Sequence, residues 1–200
     1  MTAPRLDHDQ VVDRIHSMDE RLREISGGRT RLLPVTKAFG PEAVLAVLAA
    51  GHRAVGENYA QELLAKHEAL GDRSVEWHMI GNVQRNKVRR LAGPVAVWQT
   101  IDRPALVSEV ARRSPGGRIL VQVDCLDMPG RGGCPPGEVE SLVSVALAAG
   151  LDVAGLMTVG AAGDPTATRG LFRTVAGLAD DPGLDELSLA IGRSSCRARV

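Results

Sequence analysis

The side chains best suited to chemistry stand just after short apolar runs. Lys37 ends the run Arg31-Leu32-Leu33-Pro34-Val35-Thr36-Lys37. A lysine ending a buried strand of an alternating β/α chain projects toward the C-terminal mouth, where such folds build active sites. A partly desolvated amine in that place can form a Schiff base with a carbonyl compound. On position alone, a surface lysine at a strand end is the plainer reading. Gly56-Glu57-Asn58 follows the next apolar run, with Gln61-Glu62 one helical turn later. Asn58 is suited to orienting the polar edge of a ligand; alternatively, Glu57 or Asn58 caps the helix that follows. Trp77-His78-Met79-Ile80-Gly81 continues through Asn82, Gln84, Arg85, Asn86 and Lys87. An aromatic ring and an imidazole thus precede a glycine turn rich in amides and cations, and alternation turns either Trp77 or His78 inward. Gly155-Leu156-Met157-Thr158 ends a later run, where Met157 either packs against a flat ring or fills the core.

Other chemistries lack their motifs. No G-x-S-x-G elbow and no Walker A sequence occurs, which lowers the case for serine hydrolysis and P-loop phosphate binding. No His/Cys/Asp cluster has metal-ligand spacing. Arg85, Lys87, Arg89 and Arg90 form a basic run that reads as a solvated helix face, since the stacking aromatics of an RNA surface are missing. Cys125, Cys134 and Cys196 fit neither a disulfide framework nor paired metal knuckles, which suits a reducing cytosol.

These residues must be positioned by an alternation of strands and helices. Val11, Val12, Ile15, Met18, Leu22 and Ile25 recur at helical spacing and stop at Ser26-Gly27-Gly28, so the chain opens on an amphipathic helix. Arg31–Lys37 reads as the first strand, and Glu42–Ala50 as a helix ended by Gly51. The segments AAGHRAVGE (49–57) and AAGLDVAGL (148–156) both run from a helix end through glycine into an apolar strand. Further strands are expected at Arg53–Val55, Trp77–Ile80, Val95–Gln99, Ile119–Asp124, Val153–Met157 and Leu187–Ala190. Helices are expected around Asn58–Leu70, Arg85–Leu91, Arg103–Arg113, Gly137–Ala149 and Thr166–Leu178. The Pro/Gly cluster at 129–137 reads as one long βα loop.

Such alternation argues for a parallel sheet. Periodicity leaves open whether that sheet is doubly wound or closed into a barrel. The barrel is preferred, because Thr36-Lys37-Ala38-Phe39-Gly40-Pro41 stands where a dinucleotide fold would carry G-x-G-x-x-G. Composition agrees with one soluble domain: 200 residues, 44% hydrophobic, with 24 basic and 24 acidic side chains balancing to zero. That balance speaks against disorder and against general electrostatic nucleic-acid binding. The N-terminus lacks the order of a secretory signal, and no apolar run is long enough to span a bilayer, so a cytoplasmic protein without membrane contact is expected.

Taken together, Val35-Thr36-Lys37, Gly56-Glu57-Asn58 with Gln61-Glu62, Trp77-His78-Met79-Ile80-Gly81 through Asn86-Lys87, and Gly155-Leu156-Met157-Thr158 resemble the pyridoxal phosphate homeostasis proteins. These are single-domain relatives of the alanine racemase barrel, and the resemblance runs over about 6–188. It implies an α/β chain folded as a (β/α)8 TIM-type barrel of the alanine racemase kind, one domain over 1–200. It further implies pyridoxal 5′-phosphate (PLP) as cofactor, held as a covalent aldimine by Lys37, with Asn58, His78 and Met157 around the ring. The implied role is a carrier or regulator of the cofactor pool without established turnover, serving PLP-requiring apoenzymes, as a monomer or weak homo-oligomer. A racemase or lyase on the same barrel is the rival reading.

After residue 189 the sequence departs from the family pattern. Relatives continue with a Gly-Met-Ser turn, a helix and a strand ending Arg-Ile-Gly that contribute to the phosphate site. Here Ala190-Ile191-Gly192-Arg193 leads into a basic tail carrying Ser194, Ser195, Arg197 and Arg199. The expectation is therefore a barrel incomplete at its C-terminus, with the last strand and helix missing, and a third possibility is a truncated member with impaired PLP binding.

Overall fold

A computed structural model describes residues 6–126, 132–180 and 183–191. The chain packs as two compact units, one from the described residues of 1–81 with 93–96, the other from those of 82–92 with 97–200.

The first unit opens with α1 (His8–Ser26). Asp7 caps it, its carboxylate accepting the Gln10 N–H at 3.1 Å, and Gly27 ends it in the left-handed conformation at φ 60°. The glycine is needed there because a Cβ makes that conformation costly. α2 (Pro41–Ala49) starts on a proline, whose missing N–H would be unpaired at that position anyway. It buries Ala43, Val44, Ala46 and Val47. Two histidines tie these helices together: His52 Nε2 lies 2.6 Å from Asp19 Oδ2, and His16 Nε2 lies 3.3 Å from the Ala50 carbonyl oxygen. β1 (Ala54–Glu57), α3 (Ala60–Leu70) and β2 (Glu76–Met79) follow. The two strands pair in parallel, with Val55 opposite Trp77, Gly56 opposite His78 and Glu57 opposite Met79.

One expected element is much shorter than its sequence suggests. Arg31–Lys37 contracts to a single parallel bridge between Val35 and Gly56. The Gly56 N–H donates to the Pro34 carbonyl at 2.8 Å and the Thr36 N–H donates to the Gly56 carbonyl at 3.1 Å. Pro34 has no N–H with which to extend the ladder. On the other side the chain turns at once, the Phe39 N–H donating to the Thr36 carbonyl at 3.2 Å.

The second unit comprises α4 (Arg85–Leu91), β3 (Val95–Ile101, less its first two residues), α5 (Pro104–Arg113), β4 (Arg118–Gln122), a 3-10 turn at Pro136–Glu138, α6 (Val139–Ala148), β5 (Asp152–Val159), α7 (Pro165–Leu178) and β6 (Glu186–Ala190). Within it β3, β4, β5 and β6 lie side by side, each parallel to its neighbour. Gly155 allows β5 and β6 to approach: a Cβ there would lie 1.9 Å from the Glu186 carbonyl oxygen. This sheet curls. Ser188 of β6 donates to Gln99 Oε1 of β3 at 2.7 Å, although β4 and β5 lie between them. Flat strands spaced about 4.8 Å apart would hold those strands roughly 14 Å apart. Met157 pairs in register with both Gln122 and Ser188, so it shares the concave face of this unit.

The repeated segments play matching parts. Gly51 at φ 87° follows α2 and leads to β1; Gly150 at φ 78° follows α6 and leads to β5. The other expected strands and helices are present within a few residues of their expected limits. The loop from β4 to α6 contains the expected Pro/Gly cluster, of which 129–131 lie outside the described residues; its exit is pinned by a bridge between Val123 and Cys134. The tail 192–200, with Arg193, Ser194, Ser195, Cys196, Arg197 and Arg199, also lies outside them. Among the described residues, no helix is long and apolar enough to cross a membrane.

Candidate functional site

In the first unit, β1 sorts its neighbours onto two sides. Glu57 reaches Lys66 of α3, so its side chain lies on the α3 side of the strand. Alternation then puts Gly56 on the opposite side, together with its pairing partner His78. The space beside Gly56 is filled by Val35, Leu33 and Ile80: a Cβ added there would meet them at 3.1 to 3.6 Å. Thr36, next along from Val35, turns to the α3 side and donates its hydroxyl hydrogen to Glu57 Oε1.

Lys37 itself is exposed. Among the described residues, no carboxylate or hydrogen-bonding group engages its amine. The sequence contains only three lysines, Lys37, Lys66 and Lys87. Lys66 is 3% exposed and bound, its Nζ 2.5 Å from Glu57 Oε1 and 2.7 Å from the Thr36 carbonyl oxygen. Lys87 is half-buried on α4, in the other unit. In the first unit, Lys37 therefore carries the one lysine amine open to an incoming electrophile.

The residues around Lys37 form a tight polar cluster. Besides its bonds to Glu57 and Thr36, Lys66 Nζ lies 3.6 Å from Glu62 Oε2, and that same oxygen accepts the Ala38 N–H at 2.8 Å. Ala38 has φ 67°, the one described residue other than glycine with positive φ. Glu57 is fully buried, and its Oε2 has no hydrogen-bond partner. Helix capping by Glu57 or Asn58 is not what the structure shows. The N-cap of α3 is Tyr59, which makes no side-chain cap bond.

Asn58 follows β1 directly and is half-buried. Its backbone is fixed by close approach to Gly81, where a Cβ would lie 1.8 Å from the Asn58 carbonyl oxygen. His78 is half-buried, with Nε2 3.0 Å from Glu76 Oε1. Trp77 and Met79 are the buried members of that strand, at 2% and 1% exposure. Lys37, Asn58 and His78 thus all belong to the first unit. Met157 belongs to the second, 1% exposed and packed with Leu120, Ala154, Val159 and Ala190. Arg85, Arg89 and Arg90 are exposed on α4, in keeping with a solvated basic face.

The cluster of Thr36, Glu57, Lys66 and Glu62 is the part that sequence reasoning missed, although Glu57 and Glu62 lie about one helical turn apart in the sequence. A signal did exist. Leu63, Lys66 and Leu70 fall on one stripe of α3 and are its buried residues, so Lys66 occupies a core-facing position. A charge there demands a buried counter-charge.

Parallel strands joined through helices, with a free lysine amine beyond a strand bridge, make an α/β protein with an amine open to a carbonyl ligand. The family model for the alanine racemase N-terminal domain matches residues 9–196. A pyridoxal phosphate homeostasis protein of Aquifex aeolicus (strain VF5) is 33% identical over 182 residues, which is 86% of this chain and 78% of that protein. PipY of Synechococcus elongatus PCC7942, solved with PLP bound, superposes with a TM-score of 0.73 at 28% identity, covering 92% of this chain and 90% of that one. Alanine racemase from E. faecalis shares the fold, with a TM-score of 0.72 at 18% identity over 92% of this chain and 52% of that one. The chain belongs to the pyridoxal phosphate homeostasis protein family.

Proposed function

We propose that this chain binds PLP covalently through Lys37 and serves cofactor homeostasis as a carrier without amino-acid turnover. The observation that carries the reading is the state of Lys37: exposed, unengaged, and flanked by a backbone held from both sides. The donor set fits the group. An aldehyde cofactor attaches by condensing its carbonyl with a lysine Nζ, with loss of water, and chemistry of that kind needs an amine not already committed to an ion pair. Lys66 is committed and Lys37 is not. Asn58 supplies an amide and His78 an imidazole in the same unit, in the part of ring contacts. Met157 is assigned to the ring by motif position.

The accompanying fold reading is a (β/α)8-type barrel in a single domain, which the curl of the second unit supports in that unit. PLP-requiring apoenzymes are the proposed recipients, in the cytoplasm, with the carrier acting as a monomer or weak homo-oligomer. A carrier role is favoured because the relatives that match over most of their length are themselves homeostasis proteins.

The test is an absorbance titration of the purified protein with PLP, before and after borohydride, on wild type and Lys37→Ala. A visible band that borohydride abolishes, present in wild type and absent from Lys37→Ala, is the expected result. Folded wild type without such a band contradicts the reading. Incubating the loaded protein with single amino acids separates carrier from catalyst: racemisation or decarboxylation lost in Lys37→Ala would establish an enzyme instead.

A further inference from the structure

The two peptide groups on either side of Lys37 are each gripped by a charged side chain of α3. On the N-terminal side, the Thr36 carbonyl accepts from Lys66 Nζ at 2.7 Å, and the Thr36 hydroxyl is bound to Glu57. On the C-terminal side, the Ala38 N–H donates to Glu62 Oε2 at 2.8 Å. Lys66 links the two grips, lying 2.5 Å from Glu57 Oε1 and 3.6 Å from Glu62 Oε2. With both flanking peptides held, the φ and ψ of Lys37 are fixed, and with them the direction of its Cα–Cβ bond. The grip also holds Ala38 at φ 67°, a conformation an L-residue seldom adopts and one that persists only where its surroundings enforce it.

We propose that Glu62, acting with Lys66 and Glu57, is a positioning residue that presets the backbone at Lys37 so that its amine meets the cofactor in one orientation. This rests on the reading of Lys37 as the attachment point. Glu62 touches no part of the amine; it acts through the Ala38 N–H. The side chain of Lys37 has four methylenes and would otherwise sample many directions, so a fixed root is what lets a flexible lysine give a defined adduct. Glu57 and Lys66 supply the buried anchor, while Glu62 is the half-buried and replaceable end, its side chain 33% accessible.

Glu62→Ala and Glu62→Gln separate this proposal from a general structural role. Glutamine keeps a carbonyl oxygen able to accept the Ala38 N–H; alanine does not. PLP titration followed by absorbance, with induced circular dichroism in the cofactor band, reads occupancy and orientation separately. A hydrogen bond to a charged group is worth about a factor of ten or more, so Glu62→Ala is expected to weaken lysine-dependent PLP retention on the order of tenfold. Its induced dichroism at saturation should also be diminished, while its thermal unfolding midpoint stays near that of wild type. Glu62→Gln keeps the acceptor but not the charge, so it should orient PLP as wild type does and fall between wild type and Glu62→Ala in affinity. The proposal is overturned if Glu62→Ala matches wild type in affinity and dichroism, or if Glu62→Gln loses as much as Glu62→Ala. A reducible band surviving in Lys37→Ala fails differently: it removes the attachment point itself, whatever Glu62 does.

Discussion

Lys66 Nζ and Glu57 Oε1 stand 2.5 Å apart with both side chains sealed from solvent, at 3% and 0% exposure. An ion pair in such a place is held together less by its own attraction than by the cost of leaving either member alone. Lys66→Met strands the Glu57 carboxylate and is expected to destabilise the protein by about 3–5 kcal/mol, read as a fall in the urea unfolding midpoint. Replacing both members with apolar residues should recover most of that loss, because no buried charge is then left unpaired. A Lys66→Met protein with an unchanged midpoint would mean that the pair is open to water.

The bond from Ser188 to Gln99 closes the concave face of the second unit. Ser188→Ala removes one neutral hydrogen bond, with an expected loss of about 1 kcal/mol in urea unfolding. The change should be additive with Lys66→Met, since the two sites lie in different units and share no partner.

Gly81 tolerates no side chain. A Cβ would come within 1.8 Å of the Asn58 carbonyl oxygen, so Gly81→Ala must push the two segments apart. Destabilisation of about 2 kcal/mol or more is expected, since the collision is with backbone that cannot rotate away. PLP retention should fall in the same variant, because Asn58 moves with its backbone. Unaltered PLP binding in a folded Gly81→Ala protein would remove Asn58 from the binding site.

The thiols respond to alkali rather than to neutral pH. Burial pushes the Cys134 thiol from its ordinary value of 9.0 up to about 11, and burial also raises Cys125, with the neighbouring Asp124 carboxylate adding to it. Both therefore remain protonated at neutral pH and should react slowly with iodoacetamide until the protein is unfolded. The linkage has a definite sign. The unfolded Cys134 ionises from about pH 9 while the folded one resists to about pH 11, so its contribution is complete below pH 9 and is lost as pH rises through that window. Cys134→Ala should flatten the fall in stability over that range, as followed by urea unfolding at each pH.

Much of the fold was legible because its signals were local. Gly27 and Gly51 stop helices in the left-handed conformation that glycine favours, and the repeat at 49–57 and 148–156 announced two helix-to-strand passages that the structure contains. The strand at Arg31–Lys37 was overread, since its apolar character is real but Pro34 cannot donate and Ala38 turns the chain away. Lys37 and Asn58 stand out because each ends or follows an apolar run, and His78 because it is an imidazole within one. The Glu57–Lys66 pair was harder. It joins a strand end to the second turn of a helix, and nothing between those positions marks them as partners except the misplaced charge on an apolar stripe. The positive φ at Ala38 had no sequence signal, as alanine gives none; the residue sits in the turn closed by the Phe39 N–H and the Thr36 carbonyl, with its own N–H held by Glu62.

The most direct test of the account is to find where PLP attaches. The protein is loaded with PLP, reduced with borohydride, digested, and the modified peptide sequenced by mass spectrometry, choosing among the three lysines at 37, 66 and 87. The reduced pyridoxyl group is expected on Lys37, with Lys66 and Lys87 unmodified. A group fixed on Lys66 or Lys87, or none on folded protein, would contradict it.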